Sequence, residues 1–205
     1  MSQKRSIGVV LFDQFELLDV FGPLEMFGLL QDHFVLYLVT EKGGEVASGQ
    51  GPRSIADHSF ADGHRYDILF VPGGRGTRTE VSNKQLIDWL KEQSRTAEFV
   101  TAVCTGSALL ARAGILDGVR ATTNKKAFAW VTSQGPNVIW EKQARWVEDG
   151  KFFTSSGVSA GMDMSLAVIA KLLGRDTAIQ VAVGAEYDWH EDPGWDPFAE
   201  IYGLF

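Results

Sequence analysis

The chain is poor in cysteine: of its 205 residues only Cys104 carries a thiol. No intrachain disulfide can form, and a reducing, cytoplasmic setting is the natural expectation. Positive charge is also short. There are 19 Lys and Arg against 26 Asp and Glu, a formal net charge of −7. Such a balance suits neither the phosphates of nucleic acid nor an anionic membrane surface. No apolar run approaches the roughly 20 residues of a membrane span. The opening MSQKRSIGVVLFDQFELLD sets basic residues before a short apolar run, as a signal peptide does. Asp13, Glu16 and Asp19 interrupt that run, and no small-residue cleavage site follows. The four histidines, His33, His58, His64 and His190, form no pair with metal-ligand spacing. They read as surface or loop residues, and neither a metal nor another cofactor is expected. There is no internal repeat, low-complexity tract or linker, and the length fits one domain over residues 1–205.

What is present is an alternation of apolar runs and amphipathic segments. Ser6–Phe12 (SIGVVLF), Phe34–Thr40 (FVLYLVT), Asp67–Val71 (DILFV) and Phe99–Val103 (FVTAV) read as buried strands. Helices are expected over Val20–Leu30, with Asp19 near the start and Pro23 in about the first turn, where proline is tolerated. Further helices are expected at Asn83–Ala97, whose Leu86, Ile87, Trp89 and Leu90 make an apolar face, and at Gly106–Ala113. Later segments are a short strand at Arg120–Thr123, a helix at Lys125–Ser133, and strands Ala144–Val147 and Phe152–Ser155 about a Glu148-Asp149-Gly150 turn. Helices Ser159–Leu173, closed by Gly174, and Thr177–Tyr187 precede an irregular docked tail, Asp188–Phe205. Continuous apolar strands alternating with helices imply a mainly parallel sheet covered on both faces. Sites in such folds lie beyond the carboxyl ends of the strands, here after Phe12, Val71 and Val103.

Three features at those ends can carry chemistry. Cys104 falls between a buried strand and a helix start, with Gly106 two residues on, the pattern of a nucleophile elbow bearing Cys. A helix N-terminus would lower the thiol pKa. Pro72-Gly73-Gly74 follows the third strand. It is either a tight turn or, with the Thr105 N–H, a source of oxyanion-binding N–H groups from Gly73 and Gly74. Asp19 opens the first helix, either as its N-cap or as a carboxyl that reaches the thiol. A thiol and a carboxyl in contact share a proton and titrate together.

The segments LDVFGP, VPGG, AVCTGS, ARAGILDGVRATT and GVSAGMDMSLA, spread from Ser6 to about Tyr187, together resemble the ThiJ/PfpI superfamily, related to class I glutamine amidotransferase domains. The resemblance implies a flavodoxin-like three-layer αβα sandwich and a homodimer. Within the superfamily the likeness is to the isocyanide hydratase branch, where Asp rather than Glu follows the first strand and the Cys lies in a VCTGS motif. By that likeness Cys104 is the nucleophile, Asp19 the general acid/base, and Thr105 helps place the substrate or a proton. Many relatives carry a His after the ATT run. Here the segment is Thr122-Thr123-Asn124-Lys125-Lys126, which leaves a peptidase dyad without its partner. The motifs also recur in AraC-like regulators, but no helix-turn-helix segment is expected in this chain.

The implied reaction is hydration of a small electrophilic substrate, an isocyanide, to an N-substituted formamide. It needs a soft nucleophile, one shuttling proton and a largely apolar pocket. The tail aromatics Trp189, Trp195 and Phe198 are expected to pack rather than line that pocket. Two alternatives remain: glyoxalase-like conversion of 2-oxoaldehydes, and an oxidative-stress sensor built on Cys104.

Overall fold

The computed structural model describes residues 4–205. In chain order the elements are β1 (Arg5–Val10), α1 (Leu17–Gly28), β2 (Phe34–Thr40), β3 (Gly44–Ala47), β4 (Arg53–Ala56), β5 (His58–Ser59), β6 (Ile68–Val71), α2 (Thr77–Glu80), α3 (Lys84–Thr96) and β7 (Phe99–Val103). There follow α4 (Gly106–Arg112), β8 (Arg120–Ala121), α5 (Phe128–Thr132), β9 (Ile139–Trp140), β10 (Trp146–Asp149), β11 (Phe152–Ser155), α6 (Ala160–Leu173), α7 (Arg175–Gly184) and α8 (Pro197–Ile201).

Seven strands form the central sheet in the order β10-β11-β7-β6-β1-β2-β5. All neighbours pair in parallel except β10 and β11, which form an antiparallel hairpin. The central strands β6 and β7 are buried at every residue. That double-sided burial is why they are continuous apolar runs rather than alternating ones. Each fully buried Val, Ile, Leu or Phe contributes about 1.5–3 kcal/mol of transfer free energy. α1, α6 and α7 pack together as one layer, and α3 and α4 as another. On α3 the core-facing side chains are Leu86 and Leu90, and Asn83 caps the helix by accepting from the Gln85 and Leu86 N–H groups. The result is the flavodoxin-like α/β fold.

The chain leaves β1 outward to β2, then returns to the other side of β1 as β6 and continues to β7. This reversal opens a crevice at the carboxyl ends of β1, β6 and β7. All three strand ends singled out in the sequence therefore meet at one place.

The structure corrects several boundaries. α1 begins at Leu17, three residues earlier than expected, so Asp19 lies inside the first turn and Pro23 in the middle of the helix. Strand pairing in β10 extends to Asp149, which moves the hairpin turn to Gly150 and Lys151. Residues 144 and 145 precede that strand. The expected helix over Lys125–Ser133 contracts to Phe128–Thr132, and the strand at Arg120–Thr123 to Arg120–Ala121, paired with β9 in a small sheet of its own. α7 starts at Arg175 and stops at Gly184. The tail carries a short helix, α8, capped by the Asp196 carboxylate, which accepts from the Phe198 N–H.

A buried ion pair holds the tail. Arg145 and Asp163 meet at 2.6 Å with side chains 8% and 0% exposed. Asp163 also accepts from the Tyr187 hydroxyl at 3.0 Å and the His190 N–H at 2.9 Å, and its backbone carbonyl accepts from the Trp189 indole at 3.2 Å. Trp189 thus packs, as its sequence context suggested.

Candidate functional site

Cys104 follows the last residue of β7 with φ of +56°. A non-glycine residue there costs about 1–3 kcal/mol and persists only when its surroundings fix it. They do so from three sides. The Cys104 N–H faces the Ser155 and Ser156 carbonyls at 3.2 Å each, while its own carbonyl accepts from Ser107 Oγ at 3.0 Å and Thr123 Oγ1 at 2.8 Å. Gly106 lets α4 start hard against β6. A Cβ there would stand 2.3 Å from the Val71 carbonyl oxygen.

Asp19 is fully buried, and its side chain caps nothing. Its Oδ2 accepts from the Gly73 N–H at 2.9 Å, across 54 residues of sequence. Gly73 must be glycine, because a Cβ would lie 2.6 Å from the Thr105 nitrogen and 2.9 Å from Asp19 Oδ2. Asp19 Oδ1 has no hydrogen bond of ordinary geometry, while the Cys104 thiol and the Val158 N–H both act on the carboxyl. Val158 has φ of +50°. For a β-branched residue that is a genuine outlier. Its N–H also acts on the Cys104 sulfur, so one backbone donor serves both groups.

The DJ-1/PfpI family profile matches residues 5–171, which carry this whole arrangement. The chain belongs to the DJ-1/PfpI family. The isonitrile hydratase of Pseudomonas putida is 36% identical over 181 residues, covering 88% of this chain and 78% of that protein. The HTH-type transcriptional regulator GbdR of Pseudomonas aeruginosa is 30% identical over 183 residues, and this chain spans about half of its length (87% and 49% covered). Among solved structures, a THiJ/PfpI family protein from Pseudomonas syringae superposes with a TM-score of 0.82 at 28% identity, covering 92% of this chain and 77% of the other.

In this DJ-1/PfpI domain the electrostatics of the pair are set by burial. Loss of solvent pushes the Asp19 carboxyl up to about 8, only partly opposed by the Gly73 N–H. Burial, and then the Asp19 charge, push the Cys104 thiol well above its ordinary value, against the Thr105 and Val158 N–H groups. The helix-terminus argument predicted the opposite direction for the thiol. It fails because α4 is short and Cys104 is only 6% exposed, so desolvation of the charged form outweighs the nearby N–H groups. At neutral pH the pair holds both protons, with the carboxyl the first to lose one.

Thr105 and the glycine pair are drawn together, but not as expected. The Gly74 N–H donates to Thr105 Oγ1 at 3.1 Å, and the Thr77 hydroxyl reaches the Gly74 carbonyl at 2.7 Å and Thr105 Oγ1 at 3.1 Å. Both glycine N–H groups are therefore engaged inside the site, one on Asp19 and one on Thr105. In this arrangement they position the carboxyl and the elbow rather than present an oxyanion hole.

A cavity of about 300 Å³ opens over Cys104. Its wall includes Glu16, Arg75, Arg78, Asn124, Lys126 and Val158. The tail contributes to a neighbouring hollow of about 290 Å³, where Phe198 and Tyr202 stand beside the shared Asn124, Lys126 and Val158. Phe198 and Trp195 are both exposed, so neither packs as expected. A separate hollow of about 280 Å³ near Phe12, Thr40 and Phe60 holds no nucleophile. None of the four histidines lines the Cys104 cavity: His58, in β5, stacks on His64 with ring centroids 3.8 Å apart, and His33, His64 and His190 are exposed. Among the described residues no cluster of three or more His, Cys, Asp and Glu could hold a metal ion, and no helix is long and apolar enough to cross a membrane.

Sequence reasoning missed Val158, Arg75 and Arg78. Val158 lay in view inside GVSAGMDMSLA. Its role depends on a backbone conformation that no periodicity announces.

Proposed function

We propose that this protein is an isocyanide hydratase in which Cys104 is the nucleophile and Asp19 moves the proton. The observation that carries the reading is the fully buried Asp19 carboxyl, raised to about 8 beside a thiol that lines a cavity whose wall contains no imidazole. A carboxyl so tuned is an acid at neutral pH and a base soon above it. The likeness to isonitrile hydratase supports the same choice.

The pair first gives up the Asp19 proton, and the resulting carboxylate then takes the thiol proton, so that the reactive form is a thiolate beside a carboxylic acid. Sulfur attacks the terminal carbon of R–N≡C, and the Asp19 proton goes to that same carbon. The S–C and C–H bonds form as one C–N π bond is lost, giving the thioimidate R–N=CH–S. Water then adds to this carbon. The Asp19 carboxylate takes one of its protons, which passes to nitrogen. Collapse of the adduct forms C=O and expels the Cys104 sulfur, which regains its proton through Asp19. The product is the formamide R–NH–CHO, and no redox change occurs. Gly73 and Val158 aim the carboxyl, while Thr105 and Thr77 hold the Gly73-Gly74 turn.

The oxidative-sensor alternative predicts a stable Cys104 sulfinate and no turnover of either substrate class. The test is formamide formation from an aryl isocyanide, with methylglyoxal run in parallel and Cys104→Ala and Asp19→Asn as controls. Isocyanide turnover lost in both variants is expected. Turnover of methylglyoxal alone would move the protein to the glyoxalase-like reading. We also expect a homodimer, which sedimentation will distinguish from a monomer.

A further inference from the structure

The proposed hydratase chemistry does not require the charge that surrounds it. Acidic residues outnumber basic ones in this chain by 26 to 19. At the Cys104 cavity the balance reverses: Arg75, Arg78 and Lys126 face a single acid, Glu16. The three cations come from separate segments, namely the turn after β6, helix α2, and the loop before α5. Among the described residues, ten salt bridges include none of the three, nor does any of them donate a side-chain hydrogen bond. Glu16 is tied to Gln50, its carboxylate accepting from Nε2 at 2.6 Å, and its charge still reaches Cys104, so the wall carries three cations against one anion. Arg78 is fixed by stacking on Trp130, with its guanidinium carbon 3.3 Å from the ring centroid. The Asp19 carboxyl, the remaining acid nearby, is buried and holds its proton at neutral pH.

We propose that Arg75, Arg78 and Lys126 form an anion-binding rim over Cys104, so that the substrate is a small electrophile bearing a carboxylate. Resting on the hydratase reading, this names the substrate class as isocyano-carboxylates, whose anionic group meets the rim while the isocyanide carbon meets sulfur. The volume suits a small molecule, since about 300 Å³ lies at the low end for ligand cavities. Three unpaired cations at the mouth also raise the local concentration of an anion, an effect worth about 10- to 1000-fold in encounter rate at low salt.

Two isosteric alkylating agents test the rim without any isocyanide. Iodoacetate and iodoacetamide both lose iodide to the Cys104 sulfur: an S–C bond forms, the C–I bond breaks and iodide leaves. The two differ only in the carboxylate. Labelling of Cys104 is followed by peptide mass at low salt, in the wild-type chain and in the double variant Arg75→Gln, Lys126→Gln, whose substituted side chains are both exposed. The rim predicts that iodoacetate is faster by at least about tenfold, and that the ratio falls toward one in the double variant and in high salt. A ratio at or below one in the wild type, or one that ignores both the variant and salt, would overturn the proposal. Turnover of 4-isocyanobenzoate against its methyl ester then gives the second arm. Preference for the acid extends the rim to the substrate, and equal turnover removes that extension. A high alkylation ratio with no turnover of either isocyanide keeps the rim and rejects the hydratase reading.

Discussion

Replacing Asp19 by Asn should alter the pH dependence of stability in a direction fixed by burial. The native carboxyl is raised from 3.8 to about 8, whereas in the unfolded chain it titrates near 4. A raised native pKa means that the folded state binds the extra proton. The stabilisation linked to it is whole below about pH 4, declines as pH rises, and is fully lost above about pH 8. Within that window the slope is about 1.36 kcal/mol per pH unit, so moving from about pH 5 to about pH 7 costs the wild type about 2.7 kcal/mol through this one group. Asn keeps an acceptor for the Gly73 N–H but presents an amide donor toward the thiol and the Val158 N–H. That substitution shifts stability by an offset independent of pH. The readout is therefore the difference between the two urea-unfolding curves across this range, in which all other titrating groups cancel. The wild type should lose stability relative to Asp19→Asn by about 2–3 kcal/mol. Parallel curves would mean that Asp19 is ionised in the native state and would remove it as a proton donor.

Three further outcomes are expected. Alkylation of Cys104 and isocyanide turnover should both rise through about pH 8, where the pair gives up its first proton, and initial rates that stay flat across that region would contradict the coupling. Gly73→Ala should reduce turnover by about 100-fold or more, because the added Cβ displaces Thr105 and Asp19 together; steady-state kinetics and a carboxyl titration check this. Arg145→Leu should cost about 3–5 kcal/mol in urea unfolding, since it leaves Asp163 buried and unpaired, and a loss under about 1 kcal/mol would show that water or another cation replaces the arginine.

The sheet was legible because its central strands are buried on both faces. Ile68–Val71 is apolar throughout, Phe99–Val103 at all but Thr101, and both are buried at every residue. The small pieces were not. β3 and β4 carry the exposed Glu45, Arg53 and Ile55, and α2 is one turn long, so neither period had room to register. Cys104, Gly73 and Thr105 could be found because each lies just beyond a strand end, and Asp19 because it opens the helix that follows β1; topology brings these ends together. Their hydrogen bonds could not be read. The Gly73 N–H could equally have faced a ligand, and only the tertiary approach of α1 assigns it to Asp19. The thiol shows the same limit. The helix start beside Cys104 is local and visible, but the burial that outweighs it is a product of the tertiary fold.

The most direct measurement is the intact mass of the chain when turnover of an aryl isocyanide is stopped by rapid acid denaturation, which traps a thioimidate on Cys104. The account predicts that the wild-type chain gains the mass of one isocyanide at Cys104, and that Asp19→Asn, lacking the carboxyl proton, does not accumulate the adduct. Formamide production with Cys104 unlabelled, or undiminished in Cys104→Ala, would contradict it.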